Sequence, residues 1–191
     1  MTTTSNFIRA ALAATALGIG ALGLAAPSFA QDTVMVGGAA MYPDKNIIEN
    51  AVNSKDHTTL VAAVKAAGLV ETLQGEGPFT VFAPTDDAFA ALPEGTVDNL
   101  LKPENKDMLV KVLTAHVLPA SATSEAAMQM IKDGGGEHHV TTVSGDALTL
   151  KMMGDKLVIL DESGGMATVT QADVMQSNGV IHVIDNVVQP N

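Results

Sequence analysis

The chain has 191 residues, enough for one ordinary domain, with 47% hydrophobic residues and a formal net charge of −11 at pH 7. Cations are scarce and Arg9 is the one arginine, which argues against nucleic acid and anionic membrane surfaces as partners, because phosphate groups are bound by clustered Lys and Arg. Cysteine is absent, which excludes disulfide bonds, a thiol nucleophile, an iron–sulfur site and a lipoprotein anchor.

The first thirty residues have the composition of a secretory signal peptide. Arg9 precedes the apolar run 10–26, and Ser28 and Ala30 are the small residues that a signal peptidase reads before Gln31. The run is shorter than the ~20 apolar residues of a membrane span, so we expect cleavage after Ala30 and no membrane anchor, with an uncleaved anchor as the alternative. We interpret residues 31–43 as a flexible leader and 44–191 as a single domain.

The first half of this domain carries helical signals. Asp44 is predicted to cap a helical turn over 47–52, and Thr58 or Thr59 to cap a second helix that ends at Gly68. Further helices are predicted from Pro103 through His116 and over 124–132, where the apolar residues recur at helical spacing.

The segment "FTVFAPTDDAF" at 79–89 predicts a short strand that runs directly into a helix. Pro84 ends the strand, Thr85 is a natural N-cap, and Asp86 and Asp87 place negative charge at the positive end of the helix dipole. Two neighbouring carboxylates could also bind a metal or form an acid–base pair, but adjacent acidic residues at a helix start are typical of capping.

The second half changes character. Short β-like runs occur at 140–143, 148–152, 157–160, 167–171 and 180–188, separated by Ser-Gly-Asp, Gly-Asp-Lys and Ser-Gly-Gly turns. Helices followed by hairpins predict the α+β fold class rather than alternating α/β units.

Two histidines stand alone on apolar faces. In the strand at 180–188 successive side chains alternate between the two faces. His182 is therefore the ionisable residue on one apolar face and Asp185 on the other, while His116 lies on the apolar face of its helix. Such a pattern indicates either a catalytic or ligand site or a buried brace. A neutral imidazole can donate from one nitrogen and accept at the other, and leaving it unpaired would cost ~1–3 kcal/mol. We therefore expect partners from Thr85, Asp185 or backbone groups.

Motifs of catalysis are missing from the sequence. It has no G-x-S-x-G elbow, H-E-x-x-H, P-loop, dinucleotide fingerprint or calcium loop. His138 and His139 are the nearest signal for a metal, but adjacent residues on a strand point to opposite faces and cannot easily chelate one ion. We expect no catalytic centre, metal or cofactor.

Three segments, in this order, resemble the fasciclin-like (FAS1) domain: "TVFAPTDDAFAALP" at 80–93, "LTAHVLP" at 113–119 and "NGVIHVIDNVVQP" at 178–190. They are similar to its first conserved box, its central Tyr-His region and its second box, and the resemblance covers about 46–190. It implies a β-sandwich wedge of two sheets with helices packed along one side. It also implies that five motif residues are structural and mostly buried: Thr85, Asp86, His116, His182 and Asp185.

The resemblance further implies a secreted or periplasmic, non-enzymatic module for cell adhesion, whose partner is a cell-surface protein or polysaccharide. In animal members an Asp-Ile pair before the second box is implicated in integrin recognition, and the matching residues here are Asp173 and Val174. Alternatively, Val174 and Met175 fill the core while Asp173 caps a turn. Ala115 stands where the family has a Tyr, which argues against animal-type adhesion through the central region.

Two other functions stay open. The first is a periplasmic carrier of a small ligand held in a gap between the helices and the sheet wedge. The second is a hydrolase acting on cell-surface polymers, which would require His182 and Asp185 to be accessible to solvent.

Overall fold

The computed structural model describes residues 33–190, so the signal peptide predicted for residues 1–30 lies outside the described residues. The strands are β1 (Val34–Val36), β2 (Ala39–Met41), β3 (Phe79–Pro84), β4 (Val117–Leu118), β5 (Glu137–Thr141), β6 (Ala147–Met153), β7 (Lys156–Leu160), β8 (Met166–Gln176) and β9 (Gly179–Ile184). The α-helices are α1 (Ile47–Ala51), α2 (Thr58–Ala67), α3 (Val70–Gln74), α4 (Asp86–Ala90), α5 (Thr96–Leu100), α6 (Lys106–Ala115) and α7 (Ser124–Asp133). None of these helices is long and apolar enough to cross a membrane.

Seven strands form one mixed sheet in the order β4-β3-β9-β8-β7-β6-β5. The pair β3–β9 is parallel and the other pairs are antiparallel. The long strand β8 pairs with β7 through its first residues and with β9 through the rest, and the part that pairs with β9 contains two register shifts. Because bulges bend a strand, the sheet folds back on itself, and the Val143 amide donates to the Val117 carbonyl at 2.8 Å across its two edges. The predicted α+β class and sandwich-like wedge are confirmed.

Two apolar cores lie on the two sides of the β3–β9 pair. Ile181 and Val183 of β9 belong to the core beneath α1, α2 and α6, and Ile184 belongs to the core that faces β6 and β7. Burial on both faces is usual for parallel strands, which explains why β3 and β9 are almost continuously apolar. The expected placement of helices along one side holds for α1 to α6, whereas α7 packs Ala127 and Ile131 into the second core.

The first two helices begin differently from the prediction. Asn46, not Asp44, caps α1: its side chain accepts from the Glu49 amide while the Glu49 carboxylate accepts from the Asn46 amide. Thr58 is the first residue of α2 rather than its cap, and the preceding His57 provides no capping hydrogen bond. The acceptor for this helix comes from another part of the chain, as described below.

The segment interpreted as a flexible leader contains the hairpin β1–β2. Gly37 and Gly38 form its turn with φ of 57° and 74°, and Val36 and Met41 are buried in the core beneath the helices. Strands of three residues are too short to show the alternation that identifies a strand in a sequence, so the Gly-Gly pair was the available signal. This part of 31–43 belongs to the folded domain.

Candidate functional site

His182 joins β9 to two other segments. Its Nε2–H donates to the Ala122 carbonyl at 2.8 Å, and its Nδ1 accepts from the Asp173 amide at 3.3 Å. The ring is 1% exposed and stacks on Phe82 with 5.8 Å between the centroids. Burial lowers the pKa of His182, against the opposing effects of the Ala122 carbonyl and the Asp173 carboxylate. The imidazole is therefore neutral at neutral pH, with both nitrogens occupied by backbone groups.

His116 has the same arrangement at the end of α6. Its Nδ1–H donates to the Val112 carbonyl at 2.7 Å, and its Nε2 accepts from the Val188 amide at 2.9 Å. Burial lowers the pKa of His116 to about 4, although the Val112 carbonyl and the charge of Asp161 act in the opposite direction. His116 thus ties the end of a helix to the chain that follows β9.

Thr85 caps its own helix, but Asp86 caps a different one. The Thr85 hydroxyl accepts from the Ala88 amide at 3.3 Å. The Asp86 carboxylate accepts from the Thr59 amide at 2.8 Å, from the Thr58 amide at 3.2 Å and from the Thr58 hydroxyl at 2.5 Å, so it supplies the missing cap of α2. Burial raises the pKa of Asp86, but these hydrogen bonds outweigh it and hold the pKa below its ordinary value.

Asp185 differs from the expectation of burial. It lies just after β9 and is exposed, and its carboxylate accepts from the Thr168 amide at 2.6 Å while its own amide donates to the Thr168 carbonyl at 3.1 Å. These contacts fix the chain after β9 to β8. Asp185 therefore forms no hydrogen bond with His116 or His182, and neither does Thr85.

Asp173 and Val174 are not presented together to a partner. Val174 is 1% exposed and belongs to the core beneath the helices. Asp173 has a φ of 57° in a bulged part of β8, and its carboxylate accepts from the Ser124 amide at 2.7 Å and from the Ser124 hydroxyl. The carboxylate is thus bound to the N-terminus of α7, where negative charge is favourable, and Val174 fills the core.

The contacts of Ser124, Asp173 and His182 are not those of a catalytic triad. In a triad the serine hydroxyl donates to the imidazole and the carboxylate orients the imidazole. Here the serine hydroxyl donates to the carboxylate. The imidazole accepts from the backbone amide of Asp173 and forms no hydrogen bond with its carboxylate. The hydrolase alternative required an accessible His182, and the burial of this residue contradicts it.

The two adjacent histidines are neighbours on one strand, so their side chains point to opposite faces of it, as expected. His138 and His139 are both in β5, and the Nδ1 of His139 lies 2.9 Å from the Thr149 hydroxyl. Within residues 33–190, no three side chains of His, Cys, Asp or Glu lie close enough to hold a metal ion.

Asn178 is a structural junction that sequence reasoning missed, although it opens the second box. Its Oδ1 accepts from the Ile47 amide at 3.1 Å, and its Nδ2 donates to the carbonyls of Leu73 at 2.8 Å and Gly75 at 3.0 Å. The Asn178 backbone carbonyl accepts from the Phe79 amide at 3.1 Å. The side chain of this residue therefore connects the start of α1 with the end of α3, and its backbone binds the start of β3. The Asn-Gly dipeptide was the only signal for this junction.

These contacts build a surface groove, which we call the loop groove, between the segment 74–78 and the turn 175–179. Its volume is about 630 Å³. The residues that line it include Gln74, Glu76, Ser121, Met175 and Ser177. By contrast, the gap between α1–α3 and the sheet, where the alternative carrier function would hold its ligand, has a volume of about 30 Å³. Ligand pockets are usually ~300–1,000 Å³, so the loop groove has the size of a binding site and the gap does not.

Comparison with known proteins gives a consistent result. The fasciclin domain family model matches residues 55–190. Protein sll1483 of Synechocystis sp. is 48% identical over 180 residues, which cover 94% of this chain and 93% of that protein. Transforming growth factor-beta-induced protein ig-h3 of Sus scrofa is 38% identical over 136 residues, which cover 69% of this chain but only 17% of that protein.

A solved structure shares the fold. It is the FAS1 domain pair from the insect cell adhesion molecule Fasciclin I, with a TM-score of 0.56 and 22% sequence identity, covering 68% of this chain and 43% of that chain. All three segments quoted in the sequence analysis fall inside the matched range 55–190.

Proposed function

This chain belongs to the fasciclin domain family, and we propose that it acts as a non-catalytic module that binds a component of a cell surface. One observation carries the proposal. The ionisable groups of the family motifs, His116, His182 and Asp86, have their hydrogen-bonding atoms occupied by backbone and hydroxyl groups of the same domain. Because these groups stabilise the fold, we expect the partner to bind at the outer surface of the protein.

The comparisons support a role of the same general type, namely cell adhesion. One structural neighbour comes from a cell adhesion molecule, and its low identity means that adhesion is transferred here as a proposal resting on a shared fold. The signal-peptide composition of residues 1–30 supports export, with cleavage after Ala30 and a place of action in the periplasm or outside the cell.

The proposed partner is a cell-surface protein or polysaccharide, and the proposed contact lies on the turn and loops beside the second box. The buried Val174 cannot be part of it without opening the core. The loop groove is next to this turn and is open to solvent. The carrier alternative is less well supported, because the gap between helices and sheet is too small for a ligand of ordinary size.

The test is binding of the fluorescently labelled exported protein to intact cells of its own species and of a candidate host. We expect saturable binding that excess unlabelled protein competes away. An acidic protein of similar size and charge serves as the control for non-specific adsorption. Absence of saturable binding to every cell type would contradict the proposed function.

Asp173→Ala is a poor variant for this experiment. The substitution removes the acceptor of the Ser124 amide and hydroxyl, so a loss of binding would be confounded by a loss of stability. Substitutions inside the loop groove avoid this problem, because the side chains of Gln74 and Met175 are exposed.

A further inference from the structure

We propose that the loop groove is the binding site of this module and that its ligand is a neutral carbohydrate chain. The inference rests on the proposed function and deepens it by naming the chemistry of the partner. Four features of the groove carry it: its rigidity, its unpaired polar side chains, the exposed Met175 and its lack of positive charge.

The groove is rigid because both of its walls are fixed to the core. Asn178 binds the wall 74–78 through the carbonyl of Gly75 and links it to the start of β3. The backbones also approach closely: a Cβ at Gly77 would lie 2.0 Å from the Asn178 carbonyl oxygen, and one at Gly179 would lie 2.1 Å from that of Phe79. Preorganised walls reduce the entropy that is lost when a ligand binds.

Polar side chains in the groove are available to a ligand. Gln74, Ser121 and Ser177 are exposed, and among the residues that the structure describes their side chains make no hydrogen bond to another residue. Together they offer an amide and two hydroxyls, which can each donate and accept. Sugar hydroxyls also donate and accept, so they can pair with these groups whichever way the groups are turned.

Met175 adds an apolar surface to the lining of the groove. Met175 is 47% exposed, and its flexible, polarisable thioether can pack against the C–H face of a sugar ring. A few polar groups around an apolar contact is the usual composition of a small-molecule site.

Charge selects against acidic ligands. Glu76 is the one charged side chain among the residues that line the groove, and the nearby Lys45 ammonium lies over the Tyr42 ring at 4.7 Å from its centroid. An anionic polysaccharide would therefore meet a carboxylate without a cation to pair with it, in a chain whose net charge is −11. A neutral chain avoids this repulsion.

The experiment measures binding of the exported protein to maltohexaose, cellohexaose and laminarihexaose, with hexagalacturonate as the acidic comparison, by titration calorimetry. We expect at least one neutral hexasaccharide to bind and the acidic one to bind more weakly. Gln74→Ala and Met175→Ala should each weaken binding about fivefold or more, as expected for the loss of one contact. Met153→Ala, a change at another methionine that is 55% exposed, should leave the affinity unchanged.

The same variants in the cell-binding assay separate the two proposals. If the wild-type protein binds cells but no neutral hexasaccharide at millimolar concentration, the carbohydrate inference is wrong and the proposed function stands. Preference for the acidic hexasaccharide, or equal affinity in the Gln74→Ala, Met175→Ala and Met153→Ala variants, also overturns it. Cell binding that is lost after protease treatment of the cells and is not competed by sugars would assign a protein partner instead. If no cell is bound, the proposed function itself fails.

Discussion

At the scale of single residues, buried neutral histidines join segments that are far apart in the sequence. His182 reaches the carbonyl of Ala122, and His116 accepts from the amide of Val188. Both partners are backbone groups, which agrees with one of the alternatives expected from the sequence, whereas the side-chain candidates Thr85 and Asp185 were wrong. The sequence could not tell which backbone groups would be used, because every residue carries the same ones.

His116 should make the protein sensitive to mild acid. Its pKa is about 4 in the folded protein and ~6.5 when unfolded, so the unfolded chain binds the proton first as the pH falls. The free energy of unfolding should therefore decrease between about pH 6.5 and pH 4, by about 3 kcal/mol from this residue alone. Urea unfolding of wild type and His116→Gln across this range measures the effect.

The glutamine variant should show a shallower decrease, because it has no imidazole to protonate while its amide can still donate and accept. Some acid sensitivity will remain, since burial also lowers the pKa of His57 and of His182. Equal slopes in wild type and variant would exclude His116 as a source of the pH dependence.

Asp86→Ala should destabilise the protein much more than Asp87→Ala does. Asp86→Ala removes the acceptor for α2 and should cost about 1–2 kcal/mol of stability, whereas the exposed Asp87 should change stability by less than ~0.5 kcal/mol. The Asp86 contribution should be present above its ordinary pKa and be lost as the pH falls through its lowered one. Thermal unfolding of both variants at neutral pH is the measurement, and equal midpoints would contradict the capping role.

At the scale of elements, the hairpin β1–β2 is part of the domain rather than a leader to it. The side chain of Asn50 binds both the amide and the carbonyl of Tyr42, at 3.0 Å and 2.7 Å, and the Gly37 carbonyl accepts from the Lys55 amide at 3.1 Å. Together with buried Val36, these contacts fix the turn of the hairpin and the end of its second strand to the domain.

The two glycines of its turn provide a matched pair of variants. A Cβ at Gly37 would lie 2.2 Å from the Ser54 hydroxyl and 2.8 Å from the Asp56 amide, whereas one at Gly38 meets nothing within 4 Å. Both have positive φ, so Gly38→Ala should cost about 1–2 kcal/mol and Gly37→Ala a further ~1–3 kcal/mol of overpacking. Urea unfolding compares them, and equal losses would mean that the turn does not dock as described.

Elements with local signals could be predicted from the sequence, and those defined by distant contacts could not. The helix at 58–67, the strand-to-helix turn at Thr85 and the later hairpins follow from spacing and turn residues within each segment. The one-turn helix α5 is too short to show a helical period. The cross-chain cap by Asp86 and the junction at Asn178 depend on residues that come together only in the fold. The loop groove, as a product of that junction, could not be predicted either.

At the scale of the whole molecule, a strongly acidic chain is proposed to bind a neutral partner. If that is so, binding to cells should change by less than about twofold between low and moderate salt, because screening acts only on charge–charge attraction. A basic partner would instead give binding that weakens steeply as salt is added. Cell binding measured over a series of sodium chloride concentrations distinguishes the two, and a steep decrease would count against a neutral ligand.

The parallel pairing of β3 with β9 also sets an order of events in time. Phe79 pairs with Gly179, so this pair of strands cannot form until the intervening residues 85–178 have been synthesised. Pairing between segments so far apart is slow relative to local helix formation. The nascent protein should therefore stay open while it emerges, which is the condition that passage through a translocation channel requires.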